Sequence, residues 1–296
     1  PLKGDEDEDE KNPVYRSNAR CTIFLGYTAN MASCGMREVI RYLAEHKMID
    51  CIVTSCGGIE EDLMKSLADF YMGDFNMDDS QNRKDFNCRI GNILVPAENY
   101  VKLEAFLLPI YAAMYKEQEK DKVLWTPSKL IARLGKEINK PDSIYYWCYK
   151  NDIPVYCPAV TDGALGDILF TNSYKNDLVL DVIQDIREIN KMAMRALKSC
   201  ALIIGGSTPK HHILNAHIFR NGADYGVFIN TGLFEDGSDS GAKPSEALTW
   251  GKLRLNSKYS KIFGEASIIF PLLVAETFAN DPKLSSKLTT PKKESK

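Results

Sequence analysis

The sequence predicts an α/β fold: a doubly wound, mostly parallel sheet with helices on both faces, Rossmann-like in layout. Three observations point there. Short β-rich apolar runs alternate with longer amphipathic stretches along most of the chain. The apolar runs are nearly continuous, as expected of strands buried on both faces. Each strand candidate is followed by a polar, often glycine-containing segment before the next helical pattern, which is the rhythm of strand–helix crossovers.

Residues 1–20 include Asp5-Glu6-Asp7-Glu8-Asp9-Glu10. Such a run repels itself and buries nothing, so this stretch reads as a solvated segment. The run CTIFLGY, Cys21–Tyr27, suits a buried strand, and Met36, Val39, Ile40 and Leu43 then recur on one helical face. Further strands are expected over residues 51–56, 154–160, 201–205 and 225–230. Helices are expected over residues 60–71, 98–119, 128–138, 178–197, 209–220 and 245–255. The lysine-rich end, residues 281–296, mirrors the acidic start as a solvated tail. Residues 21–280 therefore read as one domain, with no internal repeat.

With 296 residues, 44% of them hydrophobic and 26% charged, the chain is long enough to bury a large core. A net charge of −3 gives none of the basic footprint of a nucleic-acid binder, and it suits cationic partners better. The eight cysteines contain no C-x-x-C pair, and most lie in apolar runs, which fits thiols kept reduced in the cytoplasm. No run of 18 apolar residues is present, so no membrane span is expected. The chain opens at Pro1 without a methionine and reads as a truncated or processed form.

In a doubly wound sheet, ligands bind beyond the carboxyl ends of the strands. The residues there are Thr28-Ala29-Asn30, the stretch from Gly57 to Asp62, Thr161-Asp162-Gly163, Gly205-Gly206-Ser207, and Thr231 through Gly241. The last of these holds Glu235, Asp236 and Asp239, and Glu246, Trp250 and Lys252 follow it. A Gly/Ser/Asp cluster is more often a solvated turn. A helix over residues 245–255, however, would set Glu246 and Trp250 on one face at i, i+4. Carboxylates and a ring face are what a polyamine requires. A nucleophilic lysine has to shed its proton, which takes desolvation or a cationic neighbour. His211 and His212 open a helical pattern, and adjacent histidines on a helix point apart, so they suit proton transfer, packing or capping better than a shared metal. His46 and His217 lie within helical patterns and read as structural. No G-x-G-x-x-G follows the first strand, and spacing alone does not name a cofactor.

The segments CTIFLGYTAN, GGIEEDL, RIGN, WTPSKLIARLGKEIN, TDGALGD, PKHHI, RNGADY, GSDSGAKP, EALTWGK and FPLLVAETFA occur in that order. In them the chain resembles the deoxyhypusine synthase family from about Cys21 to Asn280. The resemblance implies an NAD-dependent transfer of the aminobutyl group of spermidine to a lysine of the eukaryotic translation initiation factor 5A precursor, in a homotetramer with sites at subunit interfaces. It makes Lys252 the lysine that holds the butyl unit as an imine and His211 the proton shuttle. Substrate contacts are then expected from Glu60, Glu61, Asp167, Asn215, Gly237, Ser238, Asp239, Glu246 and Trp250 as well. Cofactor contacts are expected from Ala29, Asn30, Met31, Ala32, Ser33, Ser55, Cys56, Gly57, Glu61, Asp162, Gly206, Thr231, Glu265 and Ala266.

Three positions depart from the family pattern: Ser207 continues where glycine is usual, Cys56 replaces a smaller residue, and Glu265 is one methylene longer than aspartate. Two other readings share this ancestry. A homospermidine synthase would pass the same unit to putrescine, and a regulatory paralogue would have no chemistry of its own. Joint retention of Lys252, His211, Asp239 and Glu246 speaks for a catalyst.

Overall fold

The computed structural model describes residues 20–280; the acidic start and the lysine-rich end lie outside them, apart from Arg20. The chain runs β1 (Cys21–Tyr27), α1 (Asn30–Ser33), α2 (Met36–Glu45), β2 (Cys51–Thr54), α3 (Cys56–Leu67), β3 (Tyr71–Met72), α4 (Asp79–Lys84), β4 (Asn87–Ile90) and β5 (Ile93–Pro96). It continues through α5 (Ala97–Asp121), α6 (Pro127–Ile138), α7 (Ile144–Lys150), β6 (Val155–Tyr156), α8 (Ala164–Ser173), α9 (Val182–Arg195), β7 (Lys198–Ile204) and α10 (Ser207–Ile218). It goes on through β8 (Ala223–Asn230), α11 (Glu246–Thr249), β9 (Leu253–Phe263) and α12 (Ala266–Val274), which runs into a π-helical segment at Ala275–Ala279.

Six strands form one sheet in the order β6-β2-β1-β7-β8-β9, every neighbouring pair parallel. Counted along this sheet alone, the order is 3-2-1-4-5-6, the Rossmann arrangement whose strand order reverses between β1 and β7. A separate antiparallel sheet, β3-β5-β4, was not foreseen, because its strands are two to four residues long and carry no periodic signal.

Alternation along the strands divides the core in two. Leu25, Tyr27, Ile52, Leu202 and Ile204 face one cluster, closed by α2, α3, α6, α7 and α12. Phe24, Val53, Ala201, Ile203 and Phe228 face the other, closed by α9 and α10. Helices thus cover both faces, as the buried strands require. The first layer is further tied by a buried network in which Arg37 Nε donates to Asp62 Oδ1 at 2.7 Å and Ser143 Oγ to Asp62 Oδ2 at 2.6 Å.

Several boundaries differ from the sequence expectation for identifiable reasons. The helix expected from residue 178 begins at Val182, because the Asp181 carboxylate accepts from the Ile183 and Gln184 amides and caps it there. The helix expected over 60–71 begins at Cys56 and takes in the two glycines, with Tyr145 donating to the Gly58 carbonyl at 2.7 Å. The strands expected over 51–56 and 154–160 shrink to Cys51–Thr54 and Val155–Tyr156. The helix expected over 245–255 is one turn, α11, after which the chain enters β9. That edge strand is polar on its open side and gave no apolar run to read.

His217 is fully buried, with Nδ1 2.7 Å from the Ile213 carbonyl and its ring edge-on to Phe24. Burial pushes its pKa down to about 4. The unfolded chain therefore takes up a proton near pH 6.5 that the folded chain refuses, so this contribution to stability is full above that pH and is lost as pH falls toward 4. Between pH 7 and pH 5 the loss amounts to about 2 kcal/mol. His217→Phe is expected to remove that much of the pH dependence, read by urea denaturation at both pH values. An identical pH dependence in wild type and variant would refute the assignment.

Candidate active site

A cavity of about 390 Å³ opens between α10, β8 and the segment that carries α11. Helix α10 contributes Lys210, His211, Leu214 and Asn215, which fall on one side of the helix at i, i+1, i+4 and i+5. Ser238, Asp239, Glu246, Trp250 and Lys252 enter from the opposite wall, and Phe228 of β8 lines the cavity as well. Lys252 is half-buried, and its ammonium lies 5.8 Å from the Trp250 ring centre. Although Trp250 closes α11 rather than continuing a long helix, it still shares the cavity with Glu246.

His211 Nδ1 stands 3.0 Å from Asp239 Oδ1. A proton on Nδ1 satisfies the carboxylate and leaves Nε2 as a base, a tautomer fixed by the partner. The Ser238 hydroxyl makes a short bond to Glu246. Lys210 was not singled out in the sequence, because nothing local marks a lysine ahead of two histidines as buried. It is 5% exposed, donates to the Ser240 carbonyl at 2.8 Å, and has its pKa lowered by burial.

A second set of residues lies along the carboxyl edge of the sheet. Asn30 and Ser33 follow β1; Ser55, Cys56 and Gly57 follow β2; Asp162 follows β6, Gly206 follows β7, Thr231 follows β8, and Glu265 and Ala266 follow β9. Met31, Ala32, Ser33, Cys56 and Ala266 are buried beneath this edge, whereas Asn30, Asp162, Thr231 and Glu265 are exposed on it. At the reversal point, Gly205 adopts φ +87, and a Cβ there would lie 2.7 Å from Thr28 Oγ1, so only glycine lets the two loops meet. The Thr28 hydroxyl in turn donates to Asn30 Oδ1 at 2.7 Å. Ser207, where the family pattern has glycine, sits at φ +57 in the left-handed region that glycine tolerates best.

Glu60, Glu61 and Asp167 do not join the Lys252 cavity. Glu60 and Glu61 stand beyond β2, three strand spacings or about 14 Å from β8, and Asp167 stands beyond β6, four spacings or about 19 Å from it. Glu60 Oε2 accepts from the Leu165 amide at 3.1 Å and so fastens the start of α8, on which Asp167 is exposed. Burial pushes the Glu61 carboxyl up to about 7 against the opposing pull of the Ser33 hydroxyl bonded to it. That makes it a group able to hold or release a proton near neutrality.

The family model for deoxyhypusine synthase matches residues 10–277, nearly the whole chain. The chain belongs to the deoxyhypusine synthase family. Deoxyhypusine synthases of Senecio vernalis and Arabidopsis thaliana are 56% and 55% identical to it over 275 residues, 92% of this chain and 74% and 75% of theirs. A solved structure from Entamoeba histolytica, provisionally described as a deoxyhypusine synthase, superposes with a TM-score of 0.67 at 30% identity, covering 93% of this chain and 81% of that one. Deoxyhypusine synthases are enzymes, and membership makes this chain an aminobutyl transferase by family. Among the described residues no helix is long and apolar enough to cross a membrane.

Proposed function

We propose that this chain transfers the aminobutyl group of spermidine to one lysine of the eukaryotic translation initiation factor 5A precursor, with NAD as cofactor and Lys252 as covalent carrier, in the cytoplasm. The observation that supports this most is the convergence of Lys252, His211, Asp239, Glu246 and Trp250 on one cavity. Asp239 and Glu246 offset the desolvation of the substrate ammonium groups, and the Trp250 face steadies the alkyl chain between them. His211, held by Asp239, moves protons at Nε2. Lys252 displaces 1,3-diaminopropane from the oxidised spermidine, holds the four-carbon unit as an imine and yields it to the acceptor lysine, whose amine displaces Lys252 in turn, which divides one transfer into two.

The carboxyl edge fits a dinucleotide. Small residues line its reversal point, and the Gly205–Thr28 approach forms a cradle that a Cβ would fill. Asn30, Ser33, Ser55, Gly57, Asp162, Gly206, Thr231 and Glu265 would hold NAD, with Glu61 near its nicotinamide end. When bound, NAD supplies hydride acceptance and return. Gly206 joins edge and cavity: a Cβ there would lie 2.5 Å from the Asp239 carbonyl, which accepts from the Ser207 amide.

Assembly as a homotetramer with sites between subunits accounts for the charges. The cavity wall of one chain offers three lysines, Lys210, Lys243 and Lys252, against two carboxylates, Asp239 and Glu246. A polycation needs more anions than that. Glu60, Glu61, Asp162 and Asp167 of a neighbouring copy would supply them. Trp250, 64% exposed in one chain, would be covered by the same contact.

The test is incubation with NAD, labelled spermidine and the acceptor precursor, with putrescine as competitor, followed by mass analysis. Label on a single acceptor lysine, made by a species larger than a monomer in light scattering, is expected. Label on putrescine alone would make the chain a homospermidine synthase, and label on neither would refute transfer.

A further inference from the structure

The cavity residues Ser238 and Asp239 sit on a loop whose two ends meet. Gly232 and Gly241 are packed backbone to backbone: a Cβ on Gly232 would lie 2.9 Å from Gly241 Cα, and one on Gly241 would lie 2.0 Å from the Leu233 carbonyl oxygen. Across this neck reaches Lys261 of β9, which pairs with Phe228 of β8. Its ammonium donates to the Gly232 carbonyl at 2.8 Å and, in a short bond, to the Gly241 carbonyl. It also lies 4.6 Å from the Phe234 ring centre, within the same loop. Lys261 itself is not in the cavity wall.

We propose that Lys261 is a positioning residue, a clamp that closes the neck of the 232–241 loop and thereby sets Ser238 and Asp239 for polyamine binding. The proposal rests on the polyamine reading of the cavity. A single ammonium bonded to both ends of a loop removes the freedom of those ends relative to each other, and charge-assisted bonds to carbonyls are stronger than neutral ones. Lys210 holds the same loop from inside, through the Ser240 carbonyl, and the Ser207 amide holds the Asp239 carbonyl. With the neck closed by Lys261, those two bonds fix the orientation of Asp239 toward His211. With the neck open, they anchor only one point of a mobile loop.

Lys261→Met keeps the alkyl stem and removes the donor. The Ser240 and Ala242 amides, which both donate to the Gly237 carbonyl inside the loop, are expected to exchange with deuterium about tenfold faster than in wild type. Spermidine Kd in calorimetry is expected to rise about tenfold while NAD affinity stays within about twofold. Lys261→Arg, whose forked guanidinium can span two acceptors, should restore both readouts to within about threefold of wild type. Lys258→Met, exposed on the same strand, should match wild type.

Wild-type exchange and wild-type spermidine affinity in Lys261→Met would overturn the clamp. If that variant does not fold, Lys261→Gln is measured in the same way, and wild-type behaviour there overturns it equally. Absence of spermidine binding to the wild-type protein would instead sink the polyamine reading, and the exchange rates alone would then decide whether the loop is clamped.

Discussion

Lys252→Ala is expected to abolish transfer of labelled butylamine to the acceptor protein, a loss of at least about a thousandfold, because no other group takes over a missing covalent carrier. The backbone around it should not change. The Lys252 amide donates to the Ala247 carbonyl at 2.9 Å and its carbonyl accepts from Ala223 at 3.0 Å, bonds that alanine makes equally well. Dinucleotide affinity should survive, since the residues assigned to it follow the strand ends rather than line the cavity. Single-turnover assays with mass detection, together with calorimetry for NAD, separate the two effects. Deoxyhypusine formation by the variant would remove Lys252 from its role.

Asp239→Asn is the second large effect. It removes one of the two carboxylates in the cavity wall and the charged partner of His211 together. Buried ammonium groups without anionic partners cost several kcal/mol, so spermidine binding should weaken about tenfold or more, which is about 1.4 kcal/mol or above. Trp250→Leu should lose less, because a cation–π contact contributes about 0.5–2 kcal/mol and the ring is largely exposed in a single chain. Its deficit should fall on turnover instead, through a misplaced reacting carbon. Titration calorimetry with rapid-mixing detection of NADH distinguishes binding from orientation. Unchanged spermidine affinity in Asp239→Asn would refute the acidic pocket.

The β1 run Cys21–Tyr27 was legible to the residue because Phe24–Tyr27 are buried and the half-buried residues before them keep a largely apolar run. Strand β9 was not, because an edge strand with one open face carries Lys258, Ser260 and Lys261 where a central strand carries valine and isoleucine. Reading residues 245–255 as a helix followed from that omission. Glu246 and Trp250 nonetheless reached the same cavity, since one helical turn, Glu246–Thr249 with Trp250 as its cap, brings positions i and i+4 to one side.

Composition and spacing located the polar strand ends, and the ordered motifs pointed to the family and to the residues proposed for its chemistry. Neither could show that Glu60 fastens α8 by a backbone bond or that Lys210 is buried, because both depend on packing between elements distant in sequence. The separation of Asp167 from Lys252 was equally hidden. It follows from strand order, which local patterns do not encode.

The proposed role of Lys252 as covalent carrier can be tested directly. Incubation of the wild-type chain with NAD and labelled spermidine, without acceptor, followed by borohydride reduction and peptide mapping, should place the four-carbon label on the peptide containing Lys252 and on no other. Label on a different lysine, Lys210 or Lys261 included, or a protein that stays unlabelled while spermidine is consumed, would contradict the assignment of Lys252.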